Sequence, residues 1–110
     1  MTITDPNNVD IVVANKKTKA ATLLITDHLS WDEIGEMDHI YLIQEKINVY
    51  VNYIVSGQLK SEYNFVNLSK LTIELRSLHE PTATAYRVIK KLEEWLREIN
   101  IGFNITVRRD

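Results

Sequence analysis

A chain of 110 residues with 45% apolar and 25% charged side chains suits one globular domain over residues 1–110 and excludes disordered, fibrous and collagen-like classes. The absence of cysteine removes disulfides, thiolate metal sites and cysteine nucleophiles together. A net charge of −2 and a pI near 5.9, with no basic stripe interleaved with aromatics, argue against binding nucleic acid.

The start, Met1 to Asn8, has neither the basic region nor the apolar stretch of a signal peptide. No apolar run nears the roughly 20 residues that cross a bilayer. Both point to a cytoplasmic protein without a membrane partner. Residues 9–14 and 21–28 are short and rich in β-branched and aliphatic side chains. The polar stretch Asn15 to Lys19 between them predicts a hairpin. Ser30-Trp31-Asp32-Glu33 then has the form of a capping box, with a serine hydroxyl for the N3 amide and a glutamate reaching back. The helix it predicts runs to Ser56-Gly57, about 26 residues and roughly 39 Å at 1.5 Å each.

A polar loop from Gln58 to Asn67 follows, carrying Tyr63 and Phe65. Residues 71–76 alternate apolar and polar, as a strand with one wet face does. Pro81 suits the first turn of a second helix, where its missing amide proton costs nothing. Along that helix Ala85, Val88, Ile89, Leu92, Trp95, Leu96 and Ile99 form one apolar stripe. Gly102 is placed to end it, and residues 103–108 alternate as a last strand. The order ββαβαβ predicts an α+β two-layer sandwich, a four-stranded mixed sheet with two helices on one face. Strand order is left open.

The charge is not evenly spread. Asp27, Asp32, Glu33, Glu36, Asp38 and Glu45 lie between Lys19 and Lys46 with no lysine or arginine among them. Two readings are open. Acids near a helix start complement its positive end. Alternatively, Asp27, Asp32, Glu33, Glu36 and Asp38, with Trp31 and Tyr41 as aromatic anchors, form a docking patch for a basic protein. Such a protein could be a toxin, and the chain its immunity protein.

Other chemistry is thinly represented. Asp32, Glu36 and His39 share a helical face at spacings of four and three, which a divalent metal or small-molecule site would need. The isolated glycines and serines form neither a phosphate loop nor a nucleophile elbow, so no catalytic residue and no cofactor is expected. On the first helix, Ile40, Ile43, Ile47, Tyr50, Val51 and Ile54 face the sheet, while Leu42, Val49 and Tyr53 make a second apolar row. That row either packs on the neighbouring helix or joins two copies as a homodimer.

The segments Asp27-His28-Leu29-Ser30-Trp31, Leu42 to Tyr50, and Ser56-Gly57-Gln58-Leu59 together resemble a family of small bacterial proteins classed as a domain of unknown function. The resemblance spans nearly the whole chain and is strongest over residues 27–59. It implies a bacterial source and brings no catalytic residues with it.

Overall fold

The computed structural model describes residues 9–32 and 34–108. The expected start at Met1 to Asn8, and the residues Glu33 and Arg109, lie outside them. Seven elements follow one another: β1 (Ile11–Ala14), β2 (Ala21–Asp27), α1 (Glu36–Val55), α2 (Gln58–Glu62), β3 (Leu71–Ser77), α3 (Ala83–Glu98) and β4 (Gly102–Val107). They form an α+β fold around one four-stranded mixed sheet in the order β1-β2-β3-β4. The expected hairpin is present, with β1 antiparallel to β2 and Ile11 opposite Leu24. Lys19, at φ 67°, and the Asn15 side chain, which accepts from the Lys17 and Thr18 amides, close its turn.

Both remaining pairings are parallel, with Asp27 opposite Ser77 and Thr72 opposite Gly102. Each needs a crossover, and both crossovers step the same way across the sheet. One hand of connection therefore lays α1 and α3 on a single face. Burial agrees. Leu71, Ile73, Leu75 and Ser77 are buried, whereas Thr72 and Glu74 are partly exposed and Arg76 is exposed. Leu23, Ile25, Ile47, Ile73 and Leu75 have no exposed surface, and each such side chain contributes about 1.5–3 kcal/mol relative to exposure.

Three boundaries differ from the expectation. The helix predicted from Ser30 begins at Glu36, with Gly35 as its cap, and is 20 residues long. The cause is Trp31, whose ring stacks on that of His39 with centroids 3.7 Å apart. Eight residues of continuous helix would hold those two about 12 Å apart along the axis, so the stack and the capping box exclude each other. Pro81 stands just before the cap of α3, and Thr82 caps it by accepting from the Ala85 amide at 3.1 Å. Gly102 does not end α3. Asn100 does, at φ 65°, and the Ile101 amide returns to the Leu96 carbonyl at 2.9 Å. Gly102 instead opens β4, where an added Cβ would stand 3.2 Å from Thr72 Oγ1.

Within the loop expected between Gln58 and Asn67, α2 forms one short helical turn because Leu59 buries completely. Gly57, at φ 90°, makes the reversal from α1. Among the described residues no helix is long and apolar enough to cross a membrane.

Tyr50 ties the hairpin to α1. Its hydroxyl donates to the Leu24 carbonyl at 2.5 Å and accepts from the Asp10 amide at 3.1 Å. Burial pushes that hydroxyl up to about 12. Tyr53 is likewise raised to about 12, by burial and then by the Glu62 carboxylate. A raised acid stabilises the fold fully below its unfolded value and loses that contribution as pH climbs through the folded one. Urea midpoints should therefore show no loss from these two groups below pH 10 and a fall towards pH 12. Tyr50→Phe should flatten that fall, which parallel denaturation curves would read directly.

Candidate functional site

The first turns of α1 carry an inner and an outer set of polar groups. Inside, Asp27 ends β2 and His39 lies one turn into α1. His39 Nε2 donates to Asp27 Oδ2 at 2.6 Å, with both side chains fully buried. Asp27 Oδ1 accepts from the Leu29 amide at 3.1 Å, which bends the chain out of the sheet. Trp31 then lies over the imidazole at an interplanar angle of 19°. The pair fixes the tautomer and leaves His39 Nδ1, together with Trp31 Nε1, buried without a hydrogen-bond partner among the described residues.

Outside, the helix presents a ridge. Met37, Tyr41, Asn48, Asn52 and Val55 recur at helical spacing and all are exposed, Met37 at 65% and Tyr41 at 57%. Asp38 is exposed three residues before Tyr41, and the half-buried Glu45 lies four residues after it. Asp32 is exposed in the turn ahead of the helix, and Glu36 is half-buried in its first turn. Among the described residues, the ion pairs are Lys46 with Asp10, Arg76 with Glu74 and Arg97 with Glu93, beside the hydrogen bond from His39 to Asp27. None of them involves Asp32, Glu36, Asp38 or Glu45. The nearest basic residue in sequence, Lys46, is fully buried with its Nζ 3.2 Å from Asp10 Oδ2. The rim is therefore anionic, although each acid in the first turn also gains roughly 0.3–1 kcal/mol from the helix dipole.

The residues expected to meet a partner are thus divided. Asp32, Asp38 and Tyr41 are exposed, Glu36 and Trp31 are half-buried, and Glu36 points well away from Asp38 because two residues turn a helix by about 200°. Asp27 does not reach the surface, because its carboxylate is spent on His39 and the Leu29 amide. The expected grouping of Asp32, Glu36 and His39 for a metal fails for the same reason: His39 turns inward while Asp32 stays in solvent. Among the described residues no cluster of three ligating side chains could hold a metal ion. Of the second apolar row, Tyr53 is 7% exposed and donates to Glu62, while Leu42 and Val49 are half-buried against the core.

Two features escaped the sequence reading. Met37 was not placed with Tyr41, although their spacing of four puts them on one ridge. His39, Ile43, Lys46 and Tyr50 share a buried stripe at spacings of four, three and four, which marks two ionisable groups that need internal partners.

The chain belongs to the family of unknown function DUF6572, whose family model matches residues 1–109. Searches of curated proteins and of solved structures returned no match to the chain.

Proposed function

We propose that this member of the family is a non-enzymatic, cytoplasmic protein-binding domain whose α1 rim receives a basic partner. Its most specific form is an immunity protein that covers the phosphate-binding surface of a nuclease toxin. The observation that carries this reading is the pairing of exposed Met37 and Tyr41 with carboxylates that enter none of the ion pairs among the described residues. An anionic field speeds encounter with a cationic protein and rejects acidic ones, while a few anchors in the middle provide affinity. A nuclease is cationic where it meets phosphate, so it suits such a rim.

Changing Asp32, Glu36 and Asp38 together to lysine tests the reading. All three sit at the surface or its margin, so the fold should persist, which circular dichroism would check. The wild-type protein should retain a basic protein from native-host extract and the triple variant should lose it. Equal retention by both, or no basic protein retained, would refute the role given to the rim.

A further inference from the structure

β4 is the outer strand on its side of the sheet, paired with β3 and, among the described residues, with no other strand. Its free edge has a definite pattern. The Arg108 amide donates to the Ser77 carbonyl at 2.9 Å, so the even-numbered residues turn their peptide groups towards β3. Direction alternates along a strand, which turns the N–H and C=O groups of Phe103, Ile105 and Val107 outward. We propose that this edge joins a second copy of the chain, β4 against β4 about a two-fold axis at Ile105, so that the two four-stranded sheets become one.

The strand carries none of the devices that keep a sheet edge single. Its register with β3 runs from Gly102 to Val107 without a bulge, and it contains neither proline nor a charged residue. β1, the opposite edge, is only four residues long, and shortness is one of those devices. An antiparallel two-fold at Ile105 sets Ile105 opposite Ile105 and Phe103 opposite Val107. Every outward residue then faces an outward residue, and each such pair exchanges two N–H···O bonds. A shift of two residues would leave an end of the strand unmatched. Side chains agree with this register. Phe103, Ile105 and Val107 lie on the helix-covered face, where Ile105 and Val107 are half-buried, and each would meet an apolar residue of the copy.

The helix beside the edge is self-complementary in charge. α3 packs against β4 and runs antiparallel to it. Ala85, Ile89 and Leu96 are buried towards the sheet, and Tyr86, Lys90, Glu93 and Arg97 recur at spacings of four, three and four along the adjoining flank. A right-handed crossover directs that flank to the outer edge. Ile105 lies about 13 Å along the strand from Ile101, and the same distance back along α3 from Ile99 reaches Lys90. The two-fold axis therefore passes beside the middle of the row. Across it Lys90 faces Glu93 of the second copy, and the Tyr86 ring faces the Arg97 guanidinium. α1, which connects β2 to β3, stays clear of the join, so both anionic rims remain open.

Sedimentation equilibrium of the full chain should give twice the 12.8 kDa of one chain at high concentration and approach the single mass on dilution. Amide exchange read residue by residue locates the join. The Phe103, Ile105 and Val107 amides should exchange roughly tenfold or more faster on dilution, while the Arg108 amide, bonded to β3, should not change. Ile105→Pro removes an N–H that β3 does not use, so the monomer should keep its circular dichroism while the dimer is lost. Where proline prevents folding, Glu93→Lys carries the test on an exposed flank. Facing Lys90 of the copy, it should raise the dissociation constant by roughly tenfold, and Lys90→Glu in the same chain should restore the dimer. A single-chain mass at every concentration would overturn the proposal, even were the edge to take a strand of another protein. So would a dimer in which the Phe103, Ile105 and Val107 amides exchange freely, as pairing through Leu42, Val49 and Tyr53 would give, or one indifferent to both Ile105→Pro and Glu93→Lys.

Discussion

Replacing Lys46 by methionine should destabilise the protein by about 3–5 kcal/mol, the usual cost of removing one partner from a buried ion pair. Methionine fills much of the same volume, so the loss isolates charge from packing. Lys46 and Asp10 are 0% and 1% exposed, and without the ammonium Asp10 would hold an unpaired charge in a space closed to water. The Asp10 amide also donates to Tyr50, which donates in turn to Leu24, so the loss would loosen the join between hairpin and helix. Lys46→Met combined with Asp10→Leu should recover most of the stability, because apolar pairs often replace buried ion pairs without loss. Urea unfolding of the single and double variants measures both terms. A single-variant loss below about 1 kcal/mol would mean that water reaches the pair.

The second large effect is expected at His39. His39→Ala removes the donor to Asp27 and the surface on which Trp31 rests, leaving a buried carboxylate and a cavity together. A loss of about 3–5 kcal/mol follows, and Asp27→Asn in the same chain should restore part of it by discharging the carboxylate. The variant also separates two parts of the functional argument. It touches no carboxylate of the rim, yet it releases Trp31 and with it the turn that sets Asp32 ahead of the helix. Partner binding should therefore weaken even where the variant remains folded. Near-ultraviolet circular dichroism, sensitive to the packing of Trp31, should lose intensity in parallel. Unchanged stability would show that the stack and the hydrogen bond contribute nothing net.

These two sites also show where sequence is legible and where it is not. β3 was readable because its alternation matches a strand with one covered face, and the hairpin was readable from the polar turn at Asn15 to Lys19. The stop at Ser56-Gly57 was readable because glycine takes the positive φ found there. The start of α1 was not. Ser30 to Glu33 satisfies the local rules for a cap, but a long-range contact between Trp31 and His39 overrides them. The stop of α3 was misplaced on Gly102 because asparagine, whose short polar side chain bonds locally, also enters the left-handed region on occasion, and Asn100 does so here at φ 65°. Strand order follows from both crossovers stepping the same way, which periodicity does not encode.

The proposed docking surface divides similarly. The rim was visible as a run of acids without a basic residue. Its inner boundary was not, since Asp27 belongs to that run by sequence and to the core by position. A histidine and a lysine at spacing seven on an apolar stripe are the available signal that the helix carries buried partners for Asp27 and Asp10. Read in that way, the stripe separates structural acids from those left at the surface.

The rate at which the protein associates with the basic partner proposed for it, followed by stopped flow in low and in high salt, bears most directly on the role of the rim. Steering by exposed carboxylates predicts that the rate falls by roughly tenfold or more as salt screens them, and that the lysine triple variant starts from the slower value. A rate indifferent to salt, and equal in the two proteins, would contradict it.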